Sequence, residues 1–171
     1  LGNVYKGQGV KPETVRSHAP LRPDFAKFLF GEAMLEMIEK SLHEDQNIPR
    51  LFDALCVTLD ILEGDVEDPA LLLAAFELKV CALIGYHPRL DRCLHCGRKI
   101  EGERVCMDLC GGGIACDSCS SRLESRLAVS PENPSLMRSL LNEDMATVAN
   151  RGERHRASRD ALVTALRFSK T

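Results

Sequence analysis

The sequence predicts a mainly α protein: a helical bundle with an inserted four-cysteine zinc-finger hairpin. Three observations predict it. Apolar residues recur three or four apart over residues 24–84, the spacing of a helix face rather than the alternation of a strand. Cap and turn residues cut that stretch into three helical lengths. Beyond it stand two Cys-x-x-Cys pairs, Cys93/Cys96 and Cys116/Cys119, separated by nineteen residues, inside the ~15–20 interval of a four-cysteine zinc site.

Residues 1–22 read as an arm or linker, because Gly7, Gly9, Pro12 and Pro20 punctuate scattered polar residues and leave room for one short strand at most. Residues 23–171 read as a helical domain carrying the zinc finger at 92–120. In the first helix Phe25, Phe28, Leu29, Leu35, Ile38 and Leu42 are expected on the core side, with Glu32, Glu36, Glu39 and Lys40 opposite. The second, residues 49–62, has Leu51, Leu55, Leu59 and Leu62 on one stripe and Gly64 just past its end. The third has Asp68 as N-cap, Pro69 at the first helical position and Gly85 as its stop. It is apolar nearly all round, which places it at the centre of the bundle or beside a partner groove. Residues 100–107 and 111–115 are expected to form the hairpin between the cysteine pairs. Ser130-Pro131 and Asn133-Pro134 read as helix starts, and Leu162, Val163, Leu166 and Phe168 as a last helix.

The cysteine pairs carry the most specific chemistry. Two intervening residues let a tight turn aim both sulfurs at one ion, and Gly97 permits the turn after the first pair. Four thiolates close a tetrahedral shell with no position left for water, so the site is read as structural zinc, with iron in the same shell or a pair of redox Cys-x-x-Cys motifs as the alternatives. A hairpin this short has no core of its own, and the metal would supply its folding energy. His95 is expected to point away from the ion. Cys106 and Cys110 are surplus, read as small hydrophobes on or beside the hairpin, and Cys56 and Cys81 as core thiols.

Length, composition and charge exclude other classes. The apolar runs at residues 70–76 and 80–84 are broken by Glu77 and Lys79, well short of the ~18–20 apolar residues that cross a bilayer. No secretory signal is visible at residues 1–6, so the eight cysteines read as reduced thiols of a cytoplasmic protein rather than a disulfide framework. No hydrolase, metalloprotease or phosphate-loop motif occurs, and the five histidines are unpaired, so no catalytic residues are assigned and no enzyme is expected. Net charge is +3 over residues 1–28, −9 over 29–91, +1 over 92–127 and +2 over 128–171. That asymmetry confines any nucleic-acid contact to particular surfaces. The candidates are Arg92, Arg98, Lys99 and Arg104 around the hairpin, and Arg154, Arg156 and Arg159 entering the last helix. A run like the one entering the last helix is more often a solvated face, and neither group is interleaved with aromatic residues for base stacking.

The run Leu83-Ile84-Gly85-Tyr86-His87-Pro88-Arg89-Leu90-Asp91-Arg92-Cys93-Leu94-His95-Cys96-Gly97, followed by Gly112-Gly113-Ile114-Ala115-Cys116-Asp117-Ser118-Cys119, resembles the C-terminal domain of the RecO family of bacterial recombination mediators. The resemblance implies an OB-fold ahead of this region, with Val4-Tyr5-Lys6-Gly7 as its last remnant, then an all-helical domain bearing a zinc finger. It implies a non-enzymatic role in recombinational repair of gapped or broken DNA, in the cytoplasm at the nucleoid. The implied partners are single- and double-stranded DNA, RecR and the acidic tail of the single-strand-binding protein, with help in loading RecA. On that resemblance the tail docks between helices, and Lys79 and Arg89 are the bases offered for it. A free-standing zinc-ribbon nucleic-acid binder is the rival reading.

Overall fold

The structure, a computed structural model, describes residues 17–41, 49–100 and 104–151. A 3-10 turn (Ala19–Leu21) leads into α1 (Phe25–Ser41), α2 (Pro49–Glu63) and α3 (Pro69–Leu83). These are followed by β1 (Val105–Asp108), β2 (Gly113–Cys116), α4 (Asp117–Ser120), β3 (Arg126–Val129), α5 (Asn133–Asn142) and α6 (Met145–Ala149). Residues 1–16 of the arm, which include the OB-fold remnant, and the expected last helix lie outside the described residues; residues 17–22, also read as arm, hold the 3-10 turn, and Leu21 is buried in the helical core. No described helix is long and apolar enough to cross a membrane.

Helix α3 is the axis of the bundle. Residues 71–78 are all buried, and the helix packs against α1, α2, α5 and α6. Its ends are set by the residues the sequence offers: the Asp68 carboxylate accepts the N–H groups of Ala70 and Leu71 at 3.0 and 3.2 Å, and Pro69 opens the first turn. Asp68→Ala leaves those two donors without their acceptor and is expected to cost about 1 kcal/mol, a fall in Tm of roughly 2–4 °C for a chain of this size, read by thermal denaturation. Helix α2 buries the expected stripe of Leu51, Leu55, Leu59 and Leu62.

Helix α1 is turned relative to the expected face. Gly31, Met34, Met37 and Ile38 are buried, whereas Phe25, Phe28, Leu29 and Leu35 are exposed. Apolar residues occupy both sides of this helix, so periodicity alone could not select the buried one. The α1/α2 pair is tied at one end by the Lys27 ammonium, which donates to the Gly64 carbonyl.

The three strands form an antiparallel sheet in the order β2-β1-β3. The hairpin was expected, but β3 was not. Leu127 faces Met107 across the β1/β3 pair as Ile114 does across β1/β2. Nor is the finger a separate appendage, because Met107, Leu109 and Ile114 are buried in the same core as the helices. Helix α5 starts at Asn133 with Pro134 in its first turn, and Ser130-Pro131 instead forms the turn before it, closed by Asn133 N–H donating to the Ser130 carbonyl at 3.0 Å. Helix α6 is capped by Asp144, which accepts Thr147 N–H at 2.8 Å.

Candidate metal centre

The first cysteine pair sits on a doubled-back strap. Arg92 and Lys99 are bridged, Cys93 N–H donates to the Arg98 carbonyl at 2.8 Å and Gly97 N–H to the Cys93 carbonyl at 2.9 Å. Gly97 has φ +72°, the left-handed conformation that closes the turn and that side-chain-bearing residues resist. Leu94 N–H donates to the Ile114 carbonyl at 2.8 Å, which fastens the strap to β2. The second pair begins where β2 ends. Cys116 is the last residue of the strand and Cys119 lies in α4, three positions on, so one helical turn brings the two thiols to the same side.

A second strap crosses the open edge of β2. Arg89 N–H donates to the Gly112 carbonyl at 3.0 Å and Ile114 N–H to the Arg89 carbonyl at 2.9 Å. This approach requires glycine at position 113, where a Cβ would lie 2.9 Å from the Arg89 oxygen. Gly113→Ala is therefore expected to push the strap off the strand at a cost of roughly 1–3 kcal/mol. Thermal denaturation and the rate of metal loss to a chromogenic chelator both read that change.

Cys93, Cys96, Cys116 and Cys119 converge, with all four Sγ atoms within 4.8 Å of one another. Cys96 Sγ and Cys116 Sγ are 3.8 Å apart. A disulfide would need about 2.05 Å, whereas a tetrahedron of sulfurs about 2.3 Å from a central zinc has edges of about 3.8 Å. The residues therefore fit a four-thiolate metal ion. Cys116 N–H donates to Cys93 Sγ at 3.4 Å. Burial opposes ionisation of Cys93, but the N–H groups of Cys116, Cys96 and His95 and the Cys96 thiol outweigh it and bring its pKa to about 6. Cys119 is pushed up to about 12, first by its hydrogen bond with Cys116, then by burial and by hydrogen bonds with Cys93 and Cys96.

The remaining sulfur and histidine residues are elsewhere. His95 turns from the cluster to Asp108, with Nε2 2.9 Å from Oδ2, while Asp108 Oδ1 accepts Gly111 N–H at 2.9 Å. Cys106 is half-buried on β1, Cys110 is exposed in the turn between β1 and β2, and neither joins the four-sulfur group. Cys81 is buried in α3, and burial, followed by the nearby Glu77, raises its thiol to about 11, as befits an inert core residue.

Of the candidate DNA-contacting bases, Arg92, Arg98 and Lys99 are exposed on the strap of the first cysteine pair, and Arg104 is exposed just before β1. Arg154, Arg156 and Arg159 lie outside the described residues. A groove of about 470 Å³ opens between helices, lined by Arg50, Ala54, Lys79, Ala82, Leu83, His87 and Leu141. Lys79 lines it, but its ammonium donates to the carbonyls of Leu141 and Glu143 at 2.9 and 2.7 Å, at the C-terminal end of α5. Burial lowers the Lys79 pKa, with Asp144 and Glu143 acting against it. Arg89 is exposed and is not in the groove lining. Sequence reasoning missed Arg50 and His87. The signal for Arg50 was its place one turn before Ala54, off the leucine stripe of α2.

Comparison with known proteins gives the family. The family model described as "Recombination protein O C terminal" matches residues 22–168. The DNA repair protein RecO of Syntrophomonas wolfei is 33% identical over 140 residues, covering 82% of this chain and 53% of the relative. That of Thermobifida fusca is 34% identical over 144 residues, covering 83% and 57%. That of Thermoanaerobacter is 32% identical over 110 residues, covering 64% and 44%. The chain spans about half the length of the curated relatives it matches. Matched over almost all its described residues to the C-terminal model, this chain belongs to the RecO family.

Proposed function

We propose that the chain is the helical and zinc-finger part of a recombination mediator. It acts without catalysing a reaction, binding DNA, RecR and the tail of the single-strand-binding protein and assisting RecA loading in repair of gapped or broken DNA. The observation that carries this reading is the family match over residues 22–168. On this reading residues 1–22 are an arm, 23–171 a helical domain, and the finger at 92–120 holds one zinc on Cys93, Cys96, Cys116 and Cys119. The zinc's part is structural: it holds the two cysteine pairs together and thereby the straps against β2.

Two surfaces supply the contacts. Arg92, Arg98, Lys99 and Arg104 offer cations to DNA phosphates beside the finger, with Arg154, Arg156 and Arg159 as a second basic group. The groove suits an acidic tail ending in apolar residues, since Ala82, Leu83 and Leu141 wall it and Arg50 and Lys79 place positive charge there. The basic charge of Arg50 in that lining answers the acidity of the surrounding residues 29–91, and Arg89 stands outside it as the weaker candidate. The rival, a free-standing zinc ribbon, is disfavoured by the burial of Met107 and Ile114 in the helical core.

Parallel titration of the chain with labelled single-stranded DNA and with a labelled tail peptide tests the reading. Arg92→Ala and Lys99→Ala should each weaken DNA binding about equally across sequences and lower the salt slope by about 1. Arg50→Ala should weaken the tail peptide alone. Unchanged DNA affinity removes the finger surface, and unchanged tail affinity removes the groove.

A further inference from the structure

From Cys93 to Gly97 every backbone N–H has an acceptor. Cys93 donates to the Arg98 carbonyl, Leu94 to the Ile114 carbonyl and Gly97 to the Cys93 carbonyl, at 2.8, 2.8 and 2.9 Å. The N–H groups of His95 and Cys96 donate to the Cys93 sulfur, which also accepts Cys116 N–H at 3.4 Å. One sulfur of the four-sulfur group is therefore surrounded by three donors, two of them from the turn that Cys93 itself opens. Outer hydrogen bonds of this kind orient a metal-binding group and tune its hold on the ion.

His95 is also held from the sheet. Its Nε2 lies 2.9 Å from Asp108 Oδ2, and because a carboxylate only accepts, Nε2 carries the hydrogen of this contact. Asp108 is the last residue of β1 and is 6% exposed, and its Oδ1 accepts Gly111 N–H at 2.9 Å. A Cβ at position 111 would lie 2.5 Å from Leu94 Cδ2 and 2.6 Å from Asp108 Oδ2, so glycine lets the β1/β2 turn close over both the carboxylate and the cysteine turn. Capping the β1/β2 turn needs one carboxylate oxygen. The second reaches back thirteen residues to His95.

We propose, on the four-thiolate reading of this centre, that Asp108 is a positioning residue for the metal: its carboxylate fixes the His95 side chain and thereby aims the His95 N–H at the Cys93 sulfur. A side chain clamped at its far end removes the rotation that would swing that N–H away.

Zinc affinity of the purified chain, measured by competition with a chromogenic chelator, should fall about ten-fold in Asp108→Ala and in His95→Ala. The double variant should fall no further than either single one, because the same contact is lost in all three. His95→Gln places an amide N–H where Nε2 stands and should recover most of the loss. Replacement of zinc by cobalt(II) reads the sulfur itself. Its sulfur-to-cobalt charge-transfer band should move to longer wavelength in both alanine variants and return in His95→Gln, since a thiolate that loses an N–H donor gives up charge more easily. A turn cap with no bearing on the metal would leave that band in place. The His95 side chain is 41% exposed, so His95→Ala decides the matter even if Asp108→Ala does not fold. Wild-type affinity and an unmoved band in His95→Ala, or losses that add in the double variant, would overturn the positioning role and leave the four-thiolate centre standing. A wild-type chain whose cobalt(II) form lacks the absorption of a four-sulfur shell would overturn that centre, and the proposal with it.

Discussion

Cys93→Ser is expected to release the metal and unfold the finger, from the Arg89 strap through β3, rather than to loosen it slightly. Cys93 is 1% exposed and holds three kinds of contact at once. Its sulfur belongs to the four-sulfur group, its N–H and carbonyl close the first turn onto Arg98 and Gly97, and its sulfur accepts Cys116 N–H. A hydroxyl in its place is a poor zinc ligand and is shorter than the thiol, so the shell falls to three thiolates. Structural zinc supplies roughly 10–16 kcal/mol of apparent binding energy in small metal domains. Among the described residues, the finger's own buried cluster is Cys93, Ala115 and Cys116, packed with Ile100, Cys119 and Leu123, so two of its three members belong to the four-sulfur group. Metal analysis and hydrogen exchange of residues 89–129 read the result. Cys110→Ser, at an exposed sulfur outside the cluster, should retain both metal and protection. Stoichiometric metal and unchanged protection in Cys93→Ser would show that the centre does not hold the finger.

Phe76→Ala is expected to be the most destabilising single change in the helical part. Phe76 is 1% exposed and sits midway along α3, the helix on which α1, α2, α5 and α6 all pack. Truncation removes a ring from the centre of a core that neighbouring helices cannot all close at once, and a cost of about 3–5 kcal/mol is expected. Against the 5–15 kcal/mol typical of a folded domain, that lowers Tm by roughly 6–20 °C. Phe52→Ala makes the comparison, since Phe52 is 66% exposed on α2 and a surface change of this type should stay within about 0.5 kcal/mol. Similar losses for the two variants would mean that α3 is not the centre of the bundle.

Local signals account for what could be read in advance. Asp68, Pro69 and Gly85 bound α3 because a cap, a ring-locked φ and a flexible stop act within one turn of their own position. The convergence of the four cysteines was legible because Cys-x-x-Cys is itself a geometry. What escaped depends on distant surfaces. The buried side of α1 is chosen by Leu59 and the rest of the bundle, and the helix carries apolar residues on both sides. Strand β3 exists because β1 offers it an edge, and four residues alternating between exposed and half-buried leave too short a pattern to announce it. The Lys79 ammonium also closes the end of α5 while it lines the groove, through contacts with residues 62 and 64 positions away that no local pattern announces.

The central claim is a closed shell of four thiolates on Cys93, Cys96, Cys116 and Cys119. X-ray absorption of the purified chain, with its metal content measured on the same sample, tests it most directly. One zinc per chain surrounded by four sulfur atoms at about 2.3 Å is the predicted result. A nitrogen or oxygen ligand in the shell, or a chain that folds with no metal bound, would contradict it.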